Sequence, residues 1–304
     1  MQTLPESTTA VSFPLPKNIL LATDLSCRCD RALDRSIACA KSWGAHLTAL
    51  TVVDKAAIDG LQVNGSHAED PAVRAAKRLR KDTRSTDRTP AVIVRTGEVV
   101  DELLDVSTGG GMDLIVTGVA RNQWLRTITL GGVVDGILRN STVPTLVVRN
   151  RVSGDYRRVA VAGDFSPKTE RLMAAALGLF PDAEITFFHV FNVPFLGLSD
   201  GNREAVCEQA RRDATRDAKE FLASIGMNRG GAPFIRIECE MGPAVTALSE
   251  HARRHDIDLV IIGNRGHGVV AEMLMGSLSK EILQNIESDV LVIPVADGGT
   301  GADA

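Results

Sequence analysis

Short apolar runs and longer amphipathic stretches alternate along this chain from residue 19 to residue 294. The runs span 19–23, 46–53, 91–95, 113–118 and 145–148, and then 159–163, 185–191, 234–240, 259–263 and 290–294. Several are apolar at consecutive positions, as in Leu259-Val260-Ile261-Ile262. That is the mark of a strand covered on both faces. Between them, helical patterns occupy 30–43, 70–81, 99–106, 168–179, 203–224 and 244–255. Strand and helix in alternation call for right-handed crossovers and a parallel sheet. The predicted fold class is α/β, a five-stranded parallel sheet with helices on both faces, and the pattern runs twice.

The duplication is legible residue by residue. Gly118 and Gly263, Gly131 and Gly276, Asp113 and Asp258, and Ile137 and Ile282 all stand 145 positions apart. At the start of each half, KNILLATDLS from Lys17 parallels RRVAVAGDFS from Arg157, with Asp24 and Asp164 separated by 140. Repeats of this size are whole domains, longer than a solenoid unit. The expected domains are 16–150 and 156–296, joined without a long linker. A chain of 304 residues gives each of them room for its own core.

Composition removes some function classes. Lys+Arg 34 against Asp+Glu 38 leaves no global field that favours nucleic acid or an anionic membrane. The local group Lys77, Arg78, Arg80, Lys81, Arg84 and Arg88 has no aromatic residue interleaved and reads as a solvated helix face with its exit loop. No run approaches the roughly 20 apolar residues of a membrane span. The first residues lack the basic start of a secretory signal, and the five cysteines form no secreted framework. The expectation is a cytoplasmic protein with no membrane or nucleic-acid partner.

Chemistry concentrates after the fourth strand of the second half. There Gly263, Gly266 and Gly276, with Ser277 next, give the spacing G-x2-G-x9-G-S. The first two glycines allow close backbone approach. A helix starting near Gly276-Ser277 would bring free N–H groups, a hydroxyl and the positive end of a helix dipole together, which suits phosphate. The same glycines could also serve only the tight turns of an α/β fold. Two other nucleotide motifs fit less well. Gly266 to Ala271 matches G-x-G-x-x-A, but it follows a fourth strand, and the next strand ends in Val292-Ile293-Pro294 without an acid. The P-loop is excluded because no Gly-Lys pair occurs.

With these residues in place, the chain resembles the universal stress protein family, whose nucleotide signature has this spacing in this strand, loop and helix context. The resemblance implies a Rossmann-like fold of the adenine nucleotide alpha hydrolase type and ATP as ligand, with Mg2+ as a candidate companion. Carried over position by position, the implied contacts are Gly163, Asp164, Val190, Ile262, Gly263, Arg265, Gly266, Gly276, Ser277, Leu278 and Ser279. Asp164 would contact the nucleoside, and the backbone at Val190 would read the adenine edge. Asp164 is equally suited to cap the helix that starts at Ser166-Pro167. In the first half, Arg121 and Gly132 replace Gly266 and Ser277, so weak ATP binding or none is expected there. An arginine holding phosphate is the opposite reading.

The resemblance also implies association through the last strand of each domain, near Val147-Val148 and Val292-Ile293. A tandem chain would satisfy this internally as a pseudo-dimer, with homodimerisation and an unidentified protein partner open. The function expected is a nucleotide-dependent stress-response switch. The alternatives are a slow ATPase or self-phosphorylating enzyme, with Ser277 or Ser279 as acceptor and no evident general base, and a nucleotide-independent interaction module. Three weaker groups stand apart. His251 and His255 could hold a metal but read better as a solvated helix face. Cys27, Cys29 and Cys39 could be redox or metal ligands but read better as packing residues. His267 reads as a surface loop residue.

Overall fold

The computed structural model describes residues 13–26, 29–53, 70–82, 90–119, 131–193, 203–227, 235–264 and 277–294. In the first half these form β1 (Asn18–Ala22), α1 (Asp30–Trp43), β2 (His46–Val53), α2 (Pro71–Asp82), β3 (Ala91–Thr96), α3 (Val99–Gly109), β4 (Leu114–Gly118), α4 (Gly132–Asn140) and β5 (Thr145–Val148). The second half gives β6 (Arg158–Ala162), α5 (Pro167–Leu179), β7 (Glu184–Phe191), α6 (Arg203–Ser224), β8 (Ile235–Met241), α7 (Ala244–Arg254), β9 (Leu259–Gly263), α8 (Ser277–Asn285) and β10 (Asp289–Ile293). The chain divides into two compact units, one built on Asp155–Ile262 with Asn285–Val290, the other on Pro16–Gly154 with Gly263–Gln284.

In the first half the strands run β3-β2-β1-β4-β5, with parallel register throughout. Its core gathers Leu20, Leu50, Leu103, Val106, Ile115 and Ile137. In the second half the order is β8-β7-β6-β9-β10, and the β8-β7, β7-β6 and β6-β9 pairs are parallel. Ile19, Leu20, Leu21, Leu259, Val260 and Ile261 are all 0% exposed, because helices cover both faces of these strands. The continuous apolar runs in the sequence had implied as much.

The repeat extends to individual hydrogen bonds. Asp113 Oδ2 accepts from the N–H groups of Lys17 and Asn18 at 2.8 and 2.9 Å. Asp258 Oδ2 accepts from those of Arg157 and Arg158 at 2.9 and 2.8 Å. Each carboxylate therefore locks the entry of a first strand to the entry of a fourth. The turn after α3 uses Gly111 at φ 61, and the corresponding turn after α7 uses Asp256 at φ 46. Asp is among the few residues that tolerate this left-handed conformation. One boundary differs from expectation by more than one residue. The helix over 99–106 continues to Gly109, where Ser107 donates its hydroxyl back to the Leu104 carbonyl and its polar tail stays helical.

Candidate functional site

Strands β6 and β9 run side by side, with Val161 opposite Ile261, so the residues that follow them leave the same edge of the sheet. After β6 the chain turns into α5 through Gly163, Asp164, Phe165 and Ser166. Asp164 Oδ1 accepts from the Ser166 N–H at 3.1 Å, from the Thr169 hydroxyl at 3.0 Å, and from the Ser166 hydroxyl. The Asp164 N–H in turn donates to Thr169 Oγ1 at 3.1 Å. Asp164 thus organises the first turn of α5. Gly163 makes this closure feasible, since a Cβ there would lie 2.5 Å from Thr169 Cγ2.

Beside the turn, His189 Nδ1 lies 3.0 Å from the Gly163 carbonyl, an acceptor, which assigns the ring proton to Nδ1. Phe165 covers the His189 ring with centroids 4.3 Å apart. Val190 lies past the last register pair of β6 and β7, Ala162 with Phe188. The Phe188 carbonyl faces β6, where it accepts from Gly163 at 3.1 Å. By strand alternation the peptide groups of Val190 face the same side, beyond the end of β6. The sequence reading missed Thr169, His189 and Phe165. For Thr169 a signal existed in the hydroxyl three residues after Ser166, at the first turn of a predicted helix.

The first half builds the same turn with different chemistry. Asp24 Oδ1 accepts from the Ser26 N–H at 2.9 Å and from the Cys29 thiol at 3.1 Å. Cys29 stands where Thr169 stands in the second half. Burial raises the Asp24 carboxyl, but the hydrogen bonds from Ser26 and Cys29 outweigh it and hold it below its usual value. Burial, with the Asp24 charge adding to it, pushes the Cys29 thiol up to about 11. It is a protonated hydrogen-bond donor at neutral pH. Cys39 is buried in α1, and Cys27 lies outside the described residues.

At the end of β9, Gly263 offers its carbonyl to the Ser279 hydroxyl at 2.9 Å. Ser279 is 6% exposed and ties the strand end to the first turn of α8, whereas Leu278 is exposed. Asn264 donates its N–H to the Ile293 carbonyl at 3.1 Å. Helix α8 starts at Ser277, and Ile262 closes the buried run of β9. Arg265, Gly266, His267 and Gly276 lie outside the described residues, as does Arg121 in the first half. Ser279→Ala removes the partner of a strand-end carbonyl and is expected to lower stability by about 1–2 kcal/mol, read as a lower urea midpoint with unchanged slope.

Elsewhere, Lys77, Arg78, Arg80 and Lys81 are exposed on α2, while Ala75 and Leu79 face inward. The reading of His251 and His255 as a solvated face fails for His251. It is 1% exposed, because α7 buries the stripe Ala247, Leu248, His251 and Ala252.

A family model described as the universal stress protein family matches residues 16–149 and 155–294. Universal stress protein A of Yersinia pestis is 23% identical over 150 residues, which cover 49% of this chain and 98% of that protein. A protein of unknown function from Pseudomonas aeruginosa PAO1 has a similar structure, with a TM-score of 0.66 at 18% identity over 92% of each chain. A universal stress protein from Archaeoglobus fulgidus DSM 4304 aligns with a TM-score of 0.62 at 21% identity, over 91% of this chain and 98% of its own. At such identities the structural likeness speaks to the fold. No helix among the described residues is long and apolar enough to cross a membrane.

Proposed function

Since the chain belongs to the universal stress protein family, we propose that it binds ATP in its second domain and works as a nucleotide-dependent switch in the cytoplasm. The observation that carries this reading is the G-x2-G-x9-G-S spacing set between a strand that ends at Gly263 and a helix that starts at Ser277. The domains are taken as 16–150 and 156–296, with the site in the second. Gly163, Asp164, Val190, Ile262, Gly263, Arg265, Gly266, Gly276, Ser277, Leu278 and Ser279 would surround the nucleotide. ATP can act as a switch only if it binds one state of the protein better than another.

Two observations refine the roles. Asp164 already serves the α5 turn through Oδ1, so its value to a nucleotide includes holding that turn still. Ser279 already donates its hydroxyl to Gly263, which counts against its use as a phosphate acceptor. The binding reading therefore has more support than the self-phosphorylating one. In the first half, α4 begins at Gly132 without a hydroxyl, and a Cβ there would meet nothing within 4 Å. Titration of the nucleotide-free chain with ATP is expected to saturate at about one per chain, and Arg121→Gly/Gly132→Ser to add weaker sites toward a second. Two equal sites in the unmodified chain would contradict the assignment.

A further inference from the structure

At the opposite edge of the second half's sheet, where its strands begin, lies a cleft of about 260 Å³. Arg158 at the start of β6, Arg236 in β8 and Arg254 at the end of α7 line it, along with His251 and His255. The internal repeat provides a control. The corresponding positions of the first half hold Asn18, Ala91, Gly109, Val106 and Gly110. That half builds the same strands and helices without these arginines and histidines, and holds His46 where Glu184 stands. The fold does not need them.

His251 gives the second observation. Neither ring nitrogen has a hydrogen-bond partner among the described residues. Its ring lies against Phe188 and His255, with centroids 4.8 and 4.5 Å away. Buried polar groups are rarely left so, and each exception calls for an explanation such as a bound water or ion. Two histidines four apart on a helix would by themselves suggest a metal cation. The field decides otherwise. Burial first, then His255, Arg254 and Arg236, push the His251 pKa down to about 4. Burial disfavours any charge on the ring, but the part of the shift due to Arg254 and Arg236 disfavours a metal cation and favours an anion.

The lining itself holds three arginines against two carboxylates, Glu184 and Asp256, while Glu240 and Glu250 pair with Arg254 from outside it. Arg236 meets Glu184 at 2.8 Å, Arg158 meets Asp256 at 3.5 Å, and Arg254 meets Glu240 and Glu250 at 3.4 and 3.9 Å. The arginine side chains in these pairs are 44–58% exposed, and such pairs are weak. Each guanidinium has five N–H donors, more than these contacts use. Asp256 holds its place at φ 46 where the first half uses glycine.

We propose that this cleft binds a tetrahedral oxyanion, either inorganic phosphate or the phosphate group of a small metabolite, through Arg158, Arg236 and Arg254, with the buried His251 ring beside it. The cleft is smaller than the usual pocket of a drug-sized ligand, which limits the occupant to a phosphate with a small substituent. A bound anion favours the protonated imidazole, so binding takes up a proton and tightens as pH falls. The charged groups facing His251 in this balance are Arg158, Glu184, Arg236, Glu240, Glu250, Arg254, His255 and Asp256.

The test follows the His251 ring by NMR in the full chain during titration with sulfate, inorganic phosphate and glycerol 2-phosphate. Sulfate stays a dianion throughout, so its pH dependence reports the protein alone. The expected result is a saturable shift that persists in Gly276→Ala/Ser277→Ala and weakens roughly tenfold or more in Arg236→Ala/Arg254→Ala. In His251→Val, the side chain the first half uses, sulfate binding followed calorimetrically persists but loses its pH dependence. Tighter binding of the ester identifies a metabolite phosphate, and tighter binding of the inorganic ion identifies free phosphate. No saturable shift with any of the three, or a shift indifferent to the arginine substitutions, overturns the proposal.

Discussion

Asp164→Ala is expected to cost about 3 kcal/mol of unfolding free energy. Its Oδ1 receives the Ser166 N–H, the Ser166 hydroxyl and the Thr169 hydroxyl, and Ser166 and Thr169 are 8% and 2% exposed. Hydrogen bonds to a charged acceptor contribute about 1.5–3 kcal/mol each but do not add fully, and alanine leaves buried donors without a partner. Asp164→Asn keeps an acceptor in place and should lose less than half as much. Asp24→Ala is a matched comparison. There the donors are the Ser26 N–H, the Ser26 hydroxyl and the Cys29 thiol, a weaker donor than the Thr169 hydroxyl, and Asp24 is exposed, so about 1–2 kcal/mol is expected. Urea titration of the variants decides the matter. Equal losses at Asp164 and Asp24 would mean that the Thr169 hydroxyl contributes no more than the Cys29 thiol.

The second large effect is a dependence of stability on pH that resides in one side chain. His251 has an ordinary pKa of 6.5 when unfolded and about 4 when folded, with burial the main cause. The unfolded chain therefore binds the proton first. The contribution of the neutral imidazole is fully present above about pH 6.5 and is lost as pH falls toward about 4. At 1.36 kcal/mol per unit, the loss over this window is about 3 kcal/mol. His251→Val should remove that slope, leaving only what carboxylates contribute, and stay within about 1 kcal/mol of the parent near pH 7.5. Denaturation of both proteins across this range checks the difference. Parallel curves would show that His251 titrates normally in the folded chain. Sulfate should flatten the parent's curve if the cleft binds it.

Much of this molecule was readable in its sequence because two periodicities are strong. Strands such as Leu259–Gly263 are apolar at successive positions and helices lie between them, which fixes a parallel sheet with both faces covered. The duplication then supplied a second reading of every element. What stayed hidden depends on contacts between residues whose pairing has no spacing rule. The contact of His189 with the Gly163 carbonyl is one, and the close approach of Gly163 to Thr169 is another. His251 is a different case. Its place on the stripe of Ala247, Leu248 and Ala252 points inward, but with no obvious third metal ligand nearby in the sequence it reads as solvated. Periodicity was the better guide. For the nucleotide motif, the sequence identified Gly263 and Ser279, and the structure adds that they bond to one another. Arg265, Gly266 and Gly276 fall outside the described residues, so their roles rest on spacing and resemblance.

The most direct measurement is the nucleotide carried by the purified chain, released by heat and identified by chromatography, alongside Gly276→Ala/Ser277→Ala. The account predicts that saturating the protein with ATP gives about one nucleotide per chain, that the variant loses it, and that its urea midpoint without ATP is unchanged. A variant that still holds one ATP per chain would contradict the placement of the phosphates at the start of α8. An unmodified chain that holds none, and whose melting temperature millimolar ATP does not raise, would contradict nucleotide binding altogether.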